Sequence, residues 1–111
     1  MSKTDAYYRL RQESLDALAK MDEETRKELL DWCEKSFKPI KSINKRTSAS
    51  YGLKHIFERD EETKSSYVSN EEFRGAMIQL GFEHTDDVYM HFNISRKSVN
   101  DLRRRIDNII I

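Results

Sequence analysis

The chain predicts an all-α fold of about five helices, and three observations carry that expectation. Apolar residues recur at three- and four-residue spacing along most of its length. Only three Gly and one Pro interrupt 111 residues, which leaves little material for tight turns. Charged residues make up 36% and hydrophobic ones 37%, a balance that suits amphipathic helices with one face in water. At this length the chain is a single domain, 1–111, able to bury one modest core. Its expected parts are a helical hairpin over 5–37, a basic linker over 38–47 and a helical unit over 48–111.

The first helix, over 5–20, places Tyr7, Leu10, Ser14, Ala17, Leu18 and Met21 on one side. Asp22 is a good N-cap for the second, and Glu23 and Glu24 in its first turn suit the helix dipole. Leu29, Leu30, Cys33 and Phe37 form its buried stripe, with Trp32 on the flank. It must stop before Pro39, because the residue preceding a proline is pushed out of helical space. In the basic linker Ile40 and Ile43 are the expected anchors. Thr47 or Ser48 then opens a third helix that turns Ala49, Leu53, Ile56 and Phe57 inward. The run 58–64, E-R-D-E-E-T-K, reads as a charged loop too polar to be buried. Residues 68–82 have the clearest local signals. Ser69 is the N-cap, Glu72 closes a capping box and Val68 staples to Phe73. Phe73, Ala76, Met77 and Leu80 form the apolar face. Gly81 ends the helix in a left-handed conformation and Phe82 folds back on it.

Residues 86–105, D-D-V-Y-M-H-F-N-I-S-R-K-S-V-N-D-L-R-R-R, read as two helices meeting at a corner. Val88 and Phe92 are one turn apart on the first. Ile94 sits in the corner, and Val99 and Leu102 share a face of the second. Asn93 occupies the corner as a residue that tolerates a left-handed backbone. Ser95 or Ser98 caps the second helix, with Asp101 three residues after Ser98 as in a capping box. Its outer side would carry Arg96, Lys97, Asn100, Arg103 and Arg104, donors suited to phosphates and to base edges in a major groove. The last residues, I-D-N-I-I-I, should pack on the N-terminal hairpin or on a second subunit rather than face water.

In its apolar pattern the 86–105 segment resembles the helix-turn-helix of prokaryotic regulators. A second resemblance covers 50–98. The runs S-Y-G-L-K-H-I-F-E, Y-V-S-N-E-E-F-R-G-A-M, G-F and F-N-I-S-R-K-S look like those of small uncharacterised proteins carried by phages and other bacterial mobile elements. That second group implies a setting but no activity. Small proteins of such elements tend to be regulators, or inhibitors of host machinery.

The formal net charge is zero, which argues against indiscriminate nucleic-acid binding, yet the charge is unevenly spread. Residues 38–55 hold Lys38, Lys41, Lys45, Arg46 and Lys54 and no acid. Residues 56–87 hold nine acids against three bases, and residues 88–111 five bases against two acids. One cysteine, Cys33, leaves no internal disulfide and fits a reducing cytoplasm. No apolar run approaches the ~20 residues that cross a bilayer, and the first residues lack the apolar core of a signal peptide.

Chemistry is sparse. His55, His84 and His91 lack the paired ligand spacing of familiar metal sites, even with Asp86 and Asp87 close to His84 and His91. Cys33 falls on an apolar stripe and reads as core. The glycines are isolated, so no phosphate loop exists. Glu61–Glu62 and Glu71–Glu72 are adjacent rather than convergent. Neither catalysis nor a cofactor is expected. Among the aromatic residues, most at core spacing, Tyr51 beside the basic stretch 41–54 is the one that stacking on single-stranded bases would use first.

The expected function is sequence-specific binding of double-stranded DNA by a transcriptional regulator of a mobile element. Arg96, Lys97, Ser98, Asn100, Arg103 and Arg104 would lie at the groove, and Lys41, Lys45, Arg46 and Lys54 would add phosphate contacts. A homodimer is expected if the site is palindromic. The alternative is an inhibitor of the anti-CRISPR type that binds a host protein, which zero net charge and the acidic stretch 58–72 favour.

Overall fold

The computed structural model describes residues 3–64 and 67–108. Five helices run through them: α1 (Asp5–Ala19), α2 (Glu23–Ser36), α3 (Ser50–Arg59), α4 (Asn70–Gln79) and α5 (Arg96–Asp107). The all-α expectation holds. The expected packing of the three terminal isoleucines, 109–111, lies outside the described residues.

The core is built around α4. Six consecutive residues of this helix, Phe73 to Ile78, are buried, so it is covered on every side. Its boundaries follow the local signals. Ser69 Oγ accepts from Glu72 N–H at 3.0 Å and the Glu72 carboxylate accepts from Ser69 N–H at 2.8 Å. At the other end Gly81 adopts φ +93°, with Phe82 N–H on Met77 O and Gly81 N–H on Ile78 O. That pair of bonds is a Schellman motif, and it satisfies carbonyls the helix would otherwise leave open.

The main neighbour of α1 is α4 rather than α2, although α2 follows α1 after a three-residue turn. Gly75 explains the pairing. A Cβ on this residue would lie 2.2 Å from Ser14 O and 2.8 Å from Leu18 Cβ, so only glycine permits the two backbones to approach so closely. Beside this crossing the buried Arg74 donates through Nε to Ser14 Oγ at 2.8 Å and through Nη1 to Val88 O at 2.9 Å. The apolar stripe of α2, with Leu29, Trp32, Cys33 and Phe37, closes a second side of α4. α3 contributes Leu53, Ile56 and Phe57, and α5 contributes Val99 and Leu102.

Four expectations need correction. Residues 86–92 are not helical. Met90, Phe92 and Ile94 are fully buried at alternating positions, the period of extended chain rather than of a helix. His84 and Phe92 form an isolated antiparallel bridge, as do Pro39 and Ile94. The helix-turn-helix is therefore reduced to its second helix, entered from an extended segment. Asn93 is not left-handed either. Its side chain accepts from Glu83 N–H at 2.7 Å and donates to Ile40 O at 3.0 Å, so it serves as a splice between three segments.

Neither Thr47 nor Ser48 caps α3, which begins after Ala49 without a side-chain cap. Both hydroxyls are engaged elsewhere: Thr47 donates to Asn44 O and Ser48 accepts from Arg103. The first N–H of the helix, on Ser50, donates to Met90 O at 2.8 Å instead. Lastly, the charged run 58–64 is not wholly solvated, because Asp60 is only 5% exposed. Its carboxylate accepts from Trp32 Nε1, Arg105 and Glu62 N–H, which makes burial of the charge tolerable.

Candidate nucleic-acid interface

The candidate surface has two parts that are distant in sequence. One is the basic strip 38–46, which has no regular structure of its own and is held by backbone pairing. Ile40 N–H donates to Asn93 O at 2.8 Å, Asn44 N–H to Phe92 O at 2.9 Å, and Ser95 N–H to Lys38 O at 2.8 Å. Asn44 Nδ2 adds a bond to Ile94 O at 3.2 Å. These bonds, more than the half-exposed Ile40 and the half-buried Ile43, anchor the strip against the segment that enters α5. Lys41, Lys45 and Arg46 project from it into solvent.

The other part is α5. Ser95 is its N-cap and accepts from Ser98 N–H at 3.1 Å. Ser98, Val99 and Leu102 face the core, which turns Arg96, Lys97 and Arg104 outward and leaves Asn100 and Arg103 half-buried. Arg103 reaches back across the strip's end to Ser48 Oγ at 2.7 Å. Asp101, rather than forming a capping box with Ser98, lies between Lys97 at 2.8 Å and Arg104 at 3.0 Å. The Lys97 hydrogen bond and the charges of Lys97 and Arg104 hold its carboxyl below the usual range. All three groups are open to water, and exposed pairs of this kind cost little to break, so both cations can be recruited by an incoming phosphate.

Two expected contact residues are placed elsewhere. Ser98 is buried, donates to Ser95 O and accepts from Lys38 N–H, so it ties the strip to α5 and cannot reach a ligand. Lys54 is buried too. Its ammonium pairs with Glu58 at 2.9 Å and lies 4.6 Å from the Tyr67 ring centroid and 5.3 Å from that of Tyr51. Burial raises the Glu58 carboxyl, but hydrogen bonds from Lys54 and Val68 N–H, with the charges of Lys54 and His55, leave it below its ordinary value. The remaining cations at the end of α5 and nearby are committed as well: Arg59 makes a bidentate pair with Asp107, and Arg105 bonds Asp60 and Glu62.

One surface feature extends beyond the expected set, which held only its Tyr51. Tyr51, Tyr67, Val88 and Tyr89 are 49%, 66%, 53% and 55% exposed. The Tyr51 and Tyr89 rings meet edge to face at 5.6 Å, and Lys54 lies against Tyr51 and Tyr67. The alternation of Met90, Phe92 and Ile94 turns Tyr89 away from the core, whereas Val88, which has the parity of the buried residues, is exposed because the alternation does not extend to it.

His84 is buried, stacked on Tyr7 at 4.2 Å, with Nδ1 on Thr85 O and Nε2 near Arg11 Nη1. Burial pushes its pKa down, reinforced by Arg11, Lys3 and Arg74. Burial likewise pushes the Cys33 thiol well up. Both are structural groups. Among the described residues no three His, Cys, Asp or Glu side chains gather as a metal site, and no helix is long and apolar enough to cross a membrane. Comparison with known protein families, with characterised proteins and with solved structures gives no match.

Proposed function

We propose that the chain is a non-catalytic DNA-binding protein of a phage or other mobile element, acting as a transcriptional regulator. One observation carries this reading: the basic strip 38–46 is fastened by backbone hydrogen bonds to residues 92–95, the segment that leads directly into the basic helix α5 about 50 residues further along the chain. Arg96, Lys97, Arg103 and Arg104 lie on α5, and Lys41, Lys45 and Arg46 on the adjoining strip. Together they can contact several phosphates at once, which supplies affinity despite zero net charge. A lone exposed helix is enough to enter a major groove, and two copies of the chain would be needed to read a palindrome.

Binding to DNA in a salt titration tests the proposal. The logarithm of affinity should fall linearly with that of salt, and the slope should shrink when Arg103 and Arg104 are both changed to alanine. A flat titration with no retained DNA refutes it. The second reading, an inhibitor that grips a host protein, is favoured by the exposed tyrosine patch, since tyrosines are enriched at protein interfaces. Co-purification of a host protein after nuclease treatment, without DNA affinity, would select that reading.

A further inference from the structure

The tyrosine patch adjoins the basic strip, and the two are joined by the same backbone bonds. Asn44 is bonded to Phe92 and Ser50 to Met90, so residues 45–49 arch between two fixed points. Lys45 and Arg46 stand on that arch. Tyr51 directly follows Ser50 and Tyr89 directly precedes Met90, so both flank the second of these anchors, and their rings touch. From these relationships we infer that the protein binds a single strand of nucleic acid, stacking unpaired bases on Tyr51 and Tyr89 while Lys45 and Arg46 hold the adjacent phosphates. The inference rests on the nucleic-acid reading above and adds to the duplex-facing helix a second site for unpaired bases.

Three features carry it. First, the rings are exposed yet held. Lys54 lies beside Tyr51, His55 packs edge-on against it at 4.4 Å, and Tyr89 closes a third side. A ring fixed in this way loses little freedom when a base stacks on it, and stacking serves any base because each has a π-face. Second, the charge matches: residues 38–55 contain no acid. The nearest acids before Tyr89, Asp86 and Asp87, accept from Thr4 and Thr85. Third, the absence of the expected helix over 86–92 removes the element that would have crossed a duplex backbone, and it is this extended segment that presents Tyr89. Duplex DNA keeps its bases stacked internally and offers these tyrosines nothing comparable.

The test uses fluorescence anisotropy on the full chain with a labelled strand of about 12 nucleotides of mixed sequence, within the usual span of such sites, and with its duplex. The single strand should bind roughly tenfold more tightly or better. Tyr51→Ala and Tyr89→Ala should each weaken it about tenfold with an unchanged salt slope, while Tyr51→Trp retains binding. Changing Lys45 and Arg46 together to alanine should lower the slope by about 0.7 for each phosphate no longer neutralised. Both tyrosines are exposed, and circular dichroism of each variant should match the parent. Equal affinity for duplex and strand, or tyrosine variants that bind like the parent while Lys45/Arg46 variants do not, overturns the inference and leaves the DNA reading standing. Absence of any nucleic-acid binding removes both. Failure of the tyrosine variants to co-purify a protein that the parent retains would then assign the patch to a protein partner.

Discussion

The indole N–H of Trp32 donates to Asp60 Oδ2 at 2.8 Å, and Arg105 reaches the same oxygen at 3.0 Å. Through this one carboxylate α2, the end of α3 and α5 are fastened together. Asp60→Ala leaves the buried indole donor without an acceptor and frees Arg105 from it. A loss of about 2–3 kcal/mol is expected, since hydrogen bonds to a buried charge are among the stronger ones. Urea unfolding should show the midpoint lowered at constant m-value.

Acid should weaken the fold in two separate windows. Burial raises the Asp60 carboxyl, but the Glu62 N–H, Trp32 and Arg105 outweigh it and leave the group below its ordinary value. Asp107, bonded to Arg59, is lowered too. Carboxyls lowered on folding contribute stability that is present above their unfolded value, ~4, and is lost as pH falls through the lower folded value. The imidazole of His84 is also lowered, by burial first and then by the nearby cations. Its neutral form is the one the fold holds, so stability drops as pH falls below ~6.5 toward the folded value. His84→Gln should abolish the upper window and spare the lower one, as read by thermal melts from about pH 3 to about pH 8, a range that spans both.

Gly75→Ala sets a helix-propensity gain of about 1 kcal/mol against a Cβ placed 2.2 Å from Ser14 O. Overpacking of that severity, against backbone rather than a flexible side chain, should prevail, with a net loss of about 1–3 kcal/mol. Gly81→Ala meets open space but inherits φ +93°, which costs a residue with a Cβ about 1–2 kcal/mol. Differential scanning calorimetry of the two variants separates steric from conformational cost.

Lys54→Ala should lower stability without changing the salt slope of the proposed DNA binding. Its ammonium is buried and paired with Glu58, so it neutralises the protein's own charge rather than a phosphate. A slope that falls by about one unit would return Lys54 to the binding surface.

Sequence alone determined the helices whose signals are local. Asp22 and Ser69 start α2 and α4 as their caps require, Gly81 and Phe82 close α4, and Leu29, Cys33, Phe73 and Met77 fall on the buried side that helical spacing assigns them. The basic character of 38–46 and of 96–104 was equally legible. Tertiary structure decided what these pieces meet. Val88 and Phe92 match a helical spacing, but Met90, Phe92 and Ile94 also match an extended one, and short apolar runs satisfy both periods. Choosing between them depends on whether backbone partners exist. Here Lys38, Ile40, Asn44 and Ser50 supply them, and no local rule anticipates partners from so far along the chain. The same holds for Asp60 and Lys54. Each reads as a solvated charge until a tryptophan, an arginine or a glutamate from a neighbouring turn or a distant helix offsets the cost of burying it.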